Sequence, residues 1–240
     1  MAETESDFSA PTATVPPGAG AADDHASVAG SGRGLRVALS VVIVLALLVV
    51  AAAGGWFLHG ADSHSTVSDS SVDAGFARDM STHHQQAIVM AGYTRDHTAN
   101  PAIKLLATDI ETGQQFQLGQ MQGWLDAWGL DRESSHAPMS WMAGHDHLES
   151  DGLMPGMATP AQMTKLETLS GTELDVFFLQ LMIHHHQGGL PMEQYAASHA
   201  SKQYVRQLAS SMQSAQSGEI ISMEQLLRQL GASPLPAPAN

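Results

Sequence analysis

The chain has 240 residues, with 10 Lys and Arg against 24 Asp and Glu, a formal charge of −14. A protein held on nucleic acid by phosphate contacts needs a basic surface, so that class is excluded. The absence of cysteine excludes disulfides, thiolate zinc sites, iron–sulfur clusters and a cysteine nucleophile, whereas 13 His and 13 Met are unusually many.

Residues 1–34 are rich in Ala, Pro, Gly, Ser and acids and nearly free of large apolar side chains. Such a composition cannot bury enough surface to offset ordering entropy, so a disordered cytoplasmic segment is expected. Residues 35–58 follow, and from Val37 to Leu58 no side chain is charged. That is about 22 residues, roughly 33 Å of helix, enough to cross a bilayer core. Arg33 and Arg36 flank its N-terminal end, and no Lys or Arg follows until Arg78. Positive-inside counting therefore places the N-terminus in the cytoplasm and the rest of the chain outside it, with Trp56 at the interface. Ala51-Ala52-Ala53 would suit a signal peptidase, but the apolar stretch exceeds the usual h-region, which favours an uncleaved single-pass anchor. Residues 59–72 form a linker rich in Ser, Asp and His.

Residues 73–231 carry a tandem repeat. An offset of 102 aligns 73–129 with 175–231 without a gap. Asp73, Phe76, Met80, His83, His84, Gln85, Met90, Tyr93 and His97 recur as Asp175, Phe178, Met182, His185, His186, Gln187, Met192, Tyr195 and His199. Leu106, Gln114, Met121, Leu125 and Gly129 recur as Leu208, Gln216, Met223, Leu227 and Gly231. Self-similarity at a fixed offset marks one fold unit used twice. Each unit reads as two helices. In the first they span about 74–98 and 101–128, with Asp73 as N-cap, Asn100-Pro101 as the break and Gly129 as the stop. In the second they span about 172–201 and 202–230, with Gly231 as the stop. Two hairpins that each expose an apolar face pack on each other, which gives an all-α four-helix bundle.

Between the repeats, the His- and Met-rich connector 130–174 reads as loop, with a short helix from about 161 to 169 behind Thr159-Pro160. Pro191 falls inside the third bundle helix, opposite Val89. A proline there costs about 3 kcal/mol in a regular helix, so a kink or break is expected near Gly188-Gly189. Residues 232–240 read as a tail.

On a helix, positions i, i+3, i+4 and i+7 share a face. Met80, His83, His84 and Met90 follow that spacing, with His97 beyond them, and Met182, His185, His186, Met192 and His199 repeat it. By pseudo-twofold symmetry the two ladders can converge. Imidazole nitrogen with thioether sulfur suits a soft or borderline metal, above all Cu(I), with Ag(I) or Cu(II) as further possibilities. A Met stripe is also ordinary core filling, the more natural reading for Met121 and Met223, and Tyr93 and Tyr195 read as packing residues. Adjacent His pairs repeated in both halves and flanked by Met are harder to explain as packing, because four buried imidazoles need partners. His184 is either an extra ligand or an exposed residue. The connector carries a second set, His136, Met139, Met142, His145, His147, Met154 and Met157, which reads equally as a metal-gathering segment or a solvated loop.

The segments Phe76-Ala-Arg-Asp-Met80-Ser-Thr-His83-His84 and Phe178-Leu-Gln-Leu-Met182-Ile-His-His185-His186, with Met154-Pro-Gly-Met157 between them and Gln216-Ser-Gly-Glu219-Ile220 after them, resemble the domain-of-unknown-function family numbered 305. Its characterised members are of the CopM type of periplasmic copper-binding protein. The resemblance covers about Asp73 to Gly231. It implies a ferritin-like four-helix bundle, Cu(I) and Ag(I) binding through Met and His, and a part in copper tolerance. Carried over by position, the implied ligands are Met80, His83, His84, Met90, Met182, His185, His186 and Met192. Gln86, Gly188 and Pro191 depart from the pattern.

The expectation is a membrane-anchored extracytoplasmic copper-binding protein, not an enzyme, that sequesters copper or passes it to a transporter or chaperone. Two others stand beside it. One is an anchored helical interaction module in which His and Met only pack. The other is a ferritin-like metal oxidase, which wants Glu-x-x-His on bundle helices; Glu133-Ser-Ser-His136 alone has that spacing, and it lies in the connector.

Overall fold

The computed structural model describes residues 67–144 and 148–238. The disordered segment, the membrane-spanning helix and most of the linker expected before residue 67 lie outside the described residues, as do His145 and His147. Among the described residues no helix is long and apolar enough to cross a membrane.

The described residues form five helices and no strand: α1 (Val72–His97), α2 (Pro101–Trp128), α3 (Pro160–Thr168), α4 (Gly171–His199) and α5 (Gln203–Gln229). Local chemistry sets most of the boundaries. Asn100 caps α2 by accepting from the Ala102 amide, Pro101 opens it, and Gly129 closes it in the left-handed region at φ 69°. Thr159 and Gln162 form a reciprocal capping box at the start of α3. The cap of α1 is Ser71, not the expected Asp73. Asp73 is drawn elsewhere. It accepts from the Ser201 amide (2.9 Å), the Ser201 hydroxyl (2.8 Å) and the Lys202 amide (2.8 Å) in the turn that opens α5. Lys202 has no side-chain acceptor of its own to cap that helix, so the acceptor comes from across the bundle. Its repeat counterpart Asp175 accepts from the Thr98 hydroxyl (2.5 Å) in the turn between α1 and α2. Each duplicated aspartate thus latches the turn of the other hairpin.

The α1–α2 and α4–α5 hairpins pack together through α1 and α4. These two helices run antiparallel, which arranges the apolar core in two clusters with the histidines between them. Met80, early in α1, shares a cluster with Met192, late in α4, together with Met121, Met139, Met142, Met154 and Met212. Met90 and Met182 share the other cluster with Ile110, Phe178 and Met223. Of the kink or break expected near Gly188-Gly189, the break is absent, since α4 runs unbroken from Gly171 to His199 with Pro191 inside it. Burial of both flanking turns against α1 and the connector offsets the backbone bond that proline removes.

The connector is irregular but docked. The buried Asp79 carboxylate accepts from the Met139 amide (2.6 Å) and the Trp141 indole (2.7 Å). A Cβ on Gly75 would stand 2.3 Å from that indole, so only glycine lets the ring lie on α1. Further along, Gln86 donates to the Ala158 carbonyl (2.9 Å) and accepts from the Ala158 amide (2.6 Å). A Cβ on Gly188 would stand 2.0 Å from the Pro155 carbonyl oxygen. Gln86 and Gly188, which break the repeat, therefore help to seat Met154-Pro155-Gly156-Met157 across one side of the bundle. The tail folds back as well, with Gln180 donating to Ser233 and His184 donating through Nδ1 to Pro236.

Candidate metal centre

Helical spacing places Met80, His83, His84 and Met90 on the face of α1 that meets Met182, His185, His186 and Met192 of α4, and all eight side chains are fully buried. The rings of His83 and His185 lie against each other, with centroids 3.8 Å apart and planes 36° apart. A shared pair of methionines lies towards either end of the interface, as the two clusters show.

The hydrogen bonds fix the tautomer of each ring. Nε2 of His83 donates to the Pro155 carbonyl (3.2 Å), and Nε2 of His185 donates to the His83 carbonyl (3.0 Å). Nε2 of His84 donates to Gln117 Oε1 (2.8 Å), and Nε2 of His186 donates to Glu219 Oε2 (2.6 Å). Each Nε2 meets an acceptor, so in the neutral ring the proton resides there and Nδ1 keeps a bare lone pair. All four Nδ1 atoms are buried without a hydrogen-bond partner among the described residues. Leaving a buried acceptor unmatched costs about 1–3 kcal/mol, so four together are not a neutral accident of packing. The pattern matches that of metal-ligating histidines, in which one nitrogen takes the ion and the other donates to a carbonyl or carboxylate.

Three of the rings, His83, His84 and His185, are also held in the metal-binding protonation state. Desolvation pushes His83 down to about 3, assisted by the neighbouring His84 ring, and pushes His84 down to about 4. His185 is lowered well below its ordinary value by burial and then by His83. A neutral imidazole is the form that ligates.

Several residues around the centre were not singled out as site residues by the sequence. Gln117 and Glu219, which accept from the outer histidines, are themselves 102 apart, and the repeat register carries that signal. Gln114 and Gln216 are buried repeat partners whose amide nitrogen and oxygen both lack partners among the described residues. Glu193, fully buried and likewise unpartnered, has Ala91 as its counterpart and leaves no mark in the repeat. A cavity of about 20 Å³ between α2 and α5 is lined in part by Gln114, Gln216 and the two acceptors of the outer histidines, Gln117 and Glu219. That is room for about one water or one small ion.

Other candidates lie elsewhere. His97 and His199 are exposed at the ends of α1 and α4. They stack on Tyr93 and Tyr195 (centroids 4.0 and 4.1 Å), and each donates through Nδ1 to that tyrosine's carbonyl. His184 turns to the tail, and His136 bonds Asp69 at the surface (3.1 Å). Met139, Met142 and Met154 are buried in the cluster with Met80, and Met157 is packed against it. Among the described residues no three His, Asp or Glu side chains form a ready-made cage for one ion.

The family model described as Domain of unknown function (DUF305) matches residues 73–227. A DUF305 protein from Streptomyces coelicolor is 44% identical, with a TM-score of 0.65 over 70% of this chain and 99% of that one. A DUF305 fragment from Deinococcus radiodurans is 30% identical, with a TM-score of 0.56 over 66% and 96%. CopM in its Cu(II)-bound form is 26% identical, with a TM-score of 0.51 over 66% and 97%, and CopM has also been solved in Cu(I)- and Ag-bound forms. No curated protein matches the chain.

Proposed function

The chain belongs to the DUF305 family, and on that footing we propose that its helical bundle binds copper, as Cu(I) in the first place, between α1 and α4. The observation that carries the reading is the set of four buried imidazoles whose Nε2 atoms are occupied and whose Nδ1 lone pairs are not. The ligands would be drawn from His83, His84, His185 and His186 with Met80, Met90, Met182 and Met192. Nitrogen and thioether donors together select a soft or borderline ion. The copper- and silver-bound forms of CopM, a structural relative, support the same class of ion.

The ferritin-like bundle supplies the scaffold and the ion is cargo, held and handed on rather than turned over. The uncharged stretch from Val37 to Leu58 and the preceding arginines support an anchor that keeps this domain outside the cytoplasm. There, donors without thiols escape disulfide formation, and an acidic surface concentrates cations. A copper transporter or chaperone would be the partner.

A competing reading has one observation behind it. All four Nε2 atoms already have partners, two of them backbone carbonyls, so the centre could be a polar core that fixes the pairing of α1 with α4. Titration of the full chain with Cu(I) against a competing chromophoric chelator separates the two. We expect tight binding that weakens at least about tenfold in His83→Ala and His185→Ala. Absence of binding in the parent chain would leave the structural role.

A further inference from the structure

We infer that Glu193 is the charge partner of the ion held at this centre, an inference that rests on the metal reading above. The side chain is fully buried on α4, and neither carboxylate oxygen has a hydrogen-bond partner among the described residues. A carboxylate without a partner is among the least tolerated groups in a protein interior, and packing alone gives no reason for it. At the matching position of the first repeat stands Ala91, which shows that the fold unit accepts a small apolar residue there.

Its placement supplies a reason. A Cβ built on Gly189 would stand 3.4 Å from Cε1 of His83, 3.2 Å from Oε1 of Gln216 and 3.8 Å from Oε1 of Glu193. An imidazole, an amide and a carboxylate thus converge around Gly189, which offers no side chain. Cε1 lies between the two ring nitrogens, so the unpartnered Nδ1 of His83 is one bond from that contact, as is the Nε2 that donates to Pro155. The amide of Gln216 is unpartnered at both atoms, as is that of Gln114, and both line the cavity between α2 and α5.

Neutral imidazoles and thioethers hold a cation but do not neutralise it. A cation enclosed in this interior without a counter-charge carries a desolvation penalty that ligand bonds must overcome, and a buried carboxylate beside it removes much of that penalty. A monovalent soft ion and one carboxylate leave the centre neutral. Glu219 is already engaged by His186 and is partly exposed, so it is the weaker candidate for that role.

The substitution Glu193→Gln keeps the shape and removes the charge, and Glu193→Asp keeps the charge. In the full chain, Cu(I) competition titration and thermal melting with and without Cu(I) read the effect. We expect Glu193→Gln to weaken Cu(I) binding at least about tenfold and to shrink the Cu(I)-induced rise in Tm. Its metal-free Tm should equal or exceed that of the parent, and Glu193→Asp should retain most of the affinity. Unchanged Cu(I) affinity in Glu193→Gln would overturn the inference while leaving the metal centre standing. A lowered metal-free Tm with an unchanged Cu(I)-induced shift would also overturn it, making Glu193 a packing residue. Equal losses in the Gln and Asp variants would show that shape matters rather than charge. If the Gln variant does not fold, Glu193→Ala, the residue of the other repeat, carries the same expectation. Absence of Cu(I) binding by the parent chain would instead remove the metal reading itself.

Discussion

At the scale of single residues, the centre is defined by which proton sits where. An imidazole that donates from Nε2 to a fixed carbonyl cannot turn its lone pair away, so His83 and His185 are oriented by backbone atoms and His84 and His186 by Gln117 and Glu219. Burial of neutral rings has a consequence for the metal-free protein. His83 titrates at about 3 and His84 at about 4 in the fold, against about 6.5 in the unfolded chain. Below about pH 6.5 the unfolded state takes up protons that the folded state refuses. Stability is therefore present above that pH and is lost as the pH falls towards the folded values, by up to about 1.4 kcal/mol per pH unit for each ring. Glu193 acts in the opposite sense. Burial raises its carboxyl well above the ordinary value, so its contribution is lost as the pH rises from about 4.5. Urea midpoints of the metal-free chain should fall between about pH 6.5 and pH 4.5, as the histidine effect dominates. A flat profile there would contradict neutral, buried imidazoles.

At the scale of elements, the duplication explains what is alike in the two halves and the connector explains what is not. Asp73 and Asp175 are alike, yet the first accepts three hydrogen bonds from the turn before α5 and the second accepts one from Thr98. Asp73→Ala should cost about 2–4 kcal/mol and Asp175→Ala roughly half that, measured by chemical denaturation. Equal losses would show that the latch is not what Asp73 supplies. Gln86 and Gly188 are each other's repeat counterparts yet differ, because the connector segment 154–158 hydrogen-bonds the first and leaves no room for a side chain at the second. A methyl group at position 188 would meet backbone atoms of Pro155 rather than a movable side chain. Gly188→Ala should therefore cost about 1–3 kcal/mol and, by lifting the Pro155 carbonyl from His83, loosen the inner histidine. The readouts are the urea midpoint and faster amide exchange at Ala158, and no change in either would contradict the docking described.

At the scale of the whole molecule, the bundle and the His–Met ladder were legible because both are periodic. The offset of 102 relates His83 to His185, and the structure brings those two rings together at a tilt of 36°. Helical spacing alone carries Met80 and Met192 to one end and Met90 and Met182 to the other once α1 and α4 run antiparallel. What the pattern hid depends on contacts that close only in three dimensions. The same register that relates His97 to His199 says nothing of exposure, and both lie at helix ends on their tyrosines. The connector methionines read equally as a metal-gathering segment or a solvated loop, and neither reading anticipates that Asp79, Gln86 and Gly75 bring that segment into the core. Glu193 was silent because it has no repeat partner. Pro191 points to a kink or break, and the helix continues through it without a break.

The account stands on the place where the ion sits. A crystal structure of the chain grown with Cu(I), with diffraction recorded on either side of the copper absorption edge, locates it directly. The account predicts an anomalous peak between α1 and α4 beside Nδ1 of the paired histidines, with methionine sulfur completing the coordination. Copper bound only at the exposed His97, His136 or His199, with the buried Nδ1 atoms still bare, would contradict it.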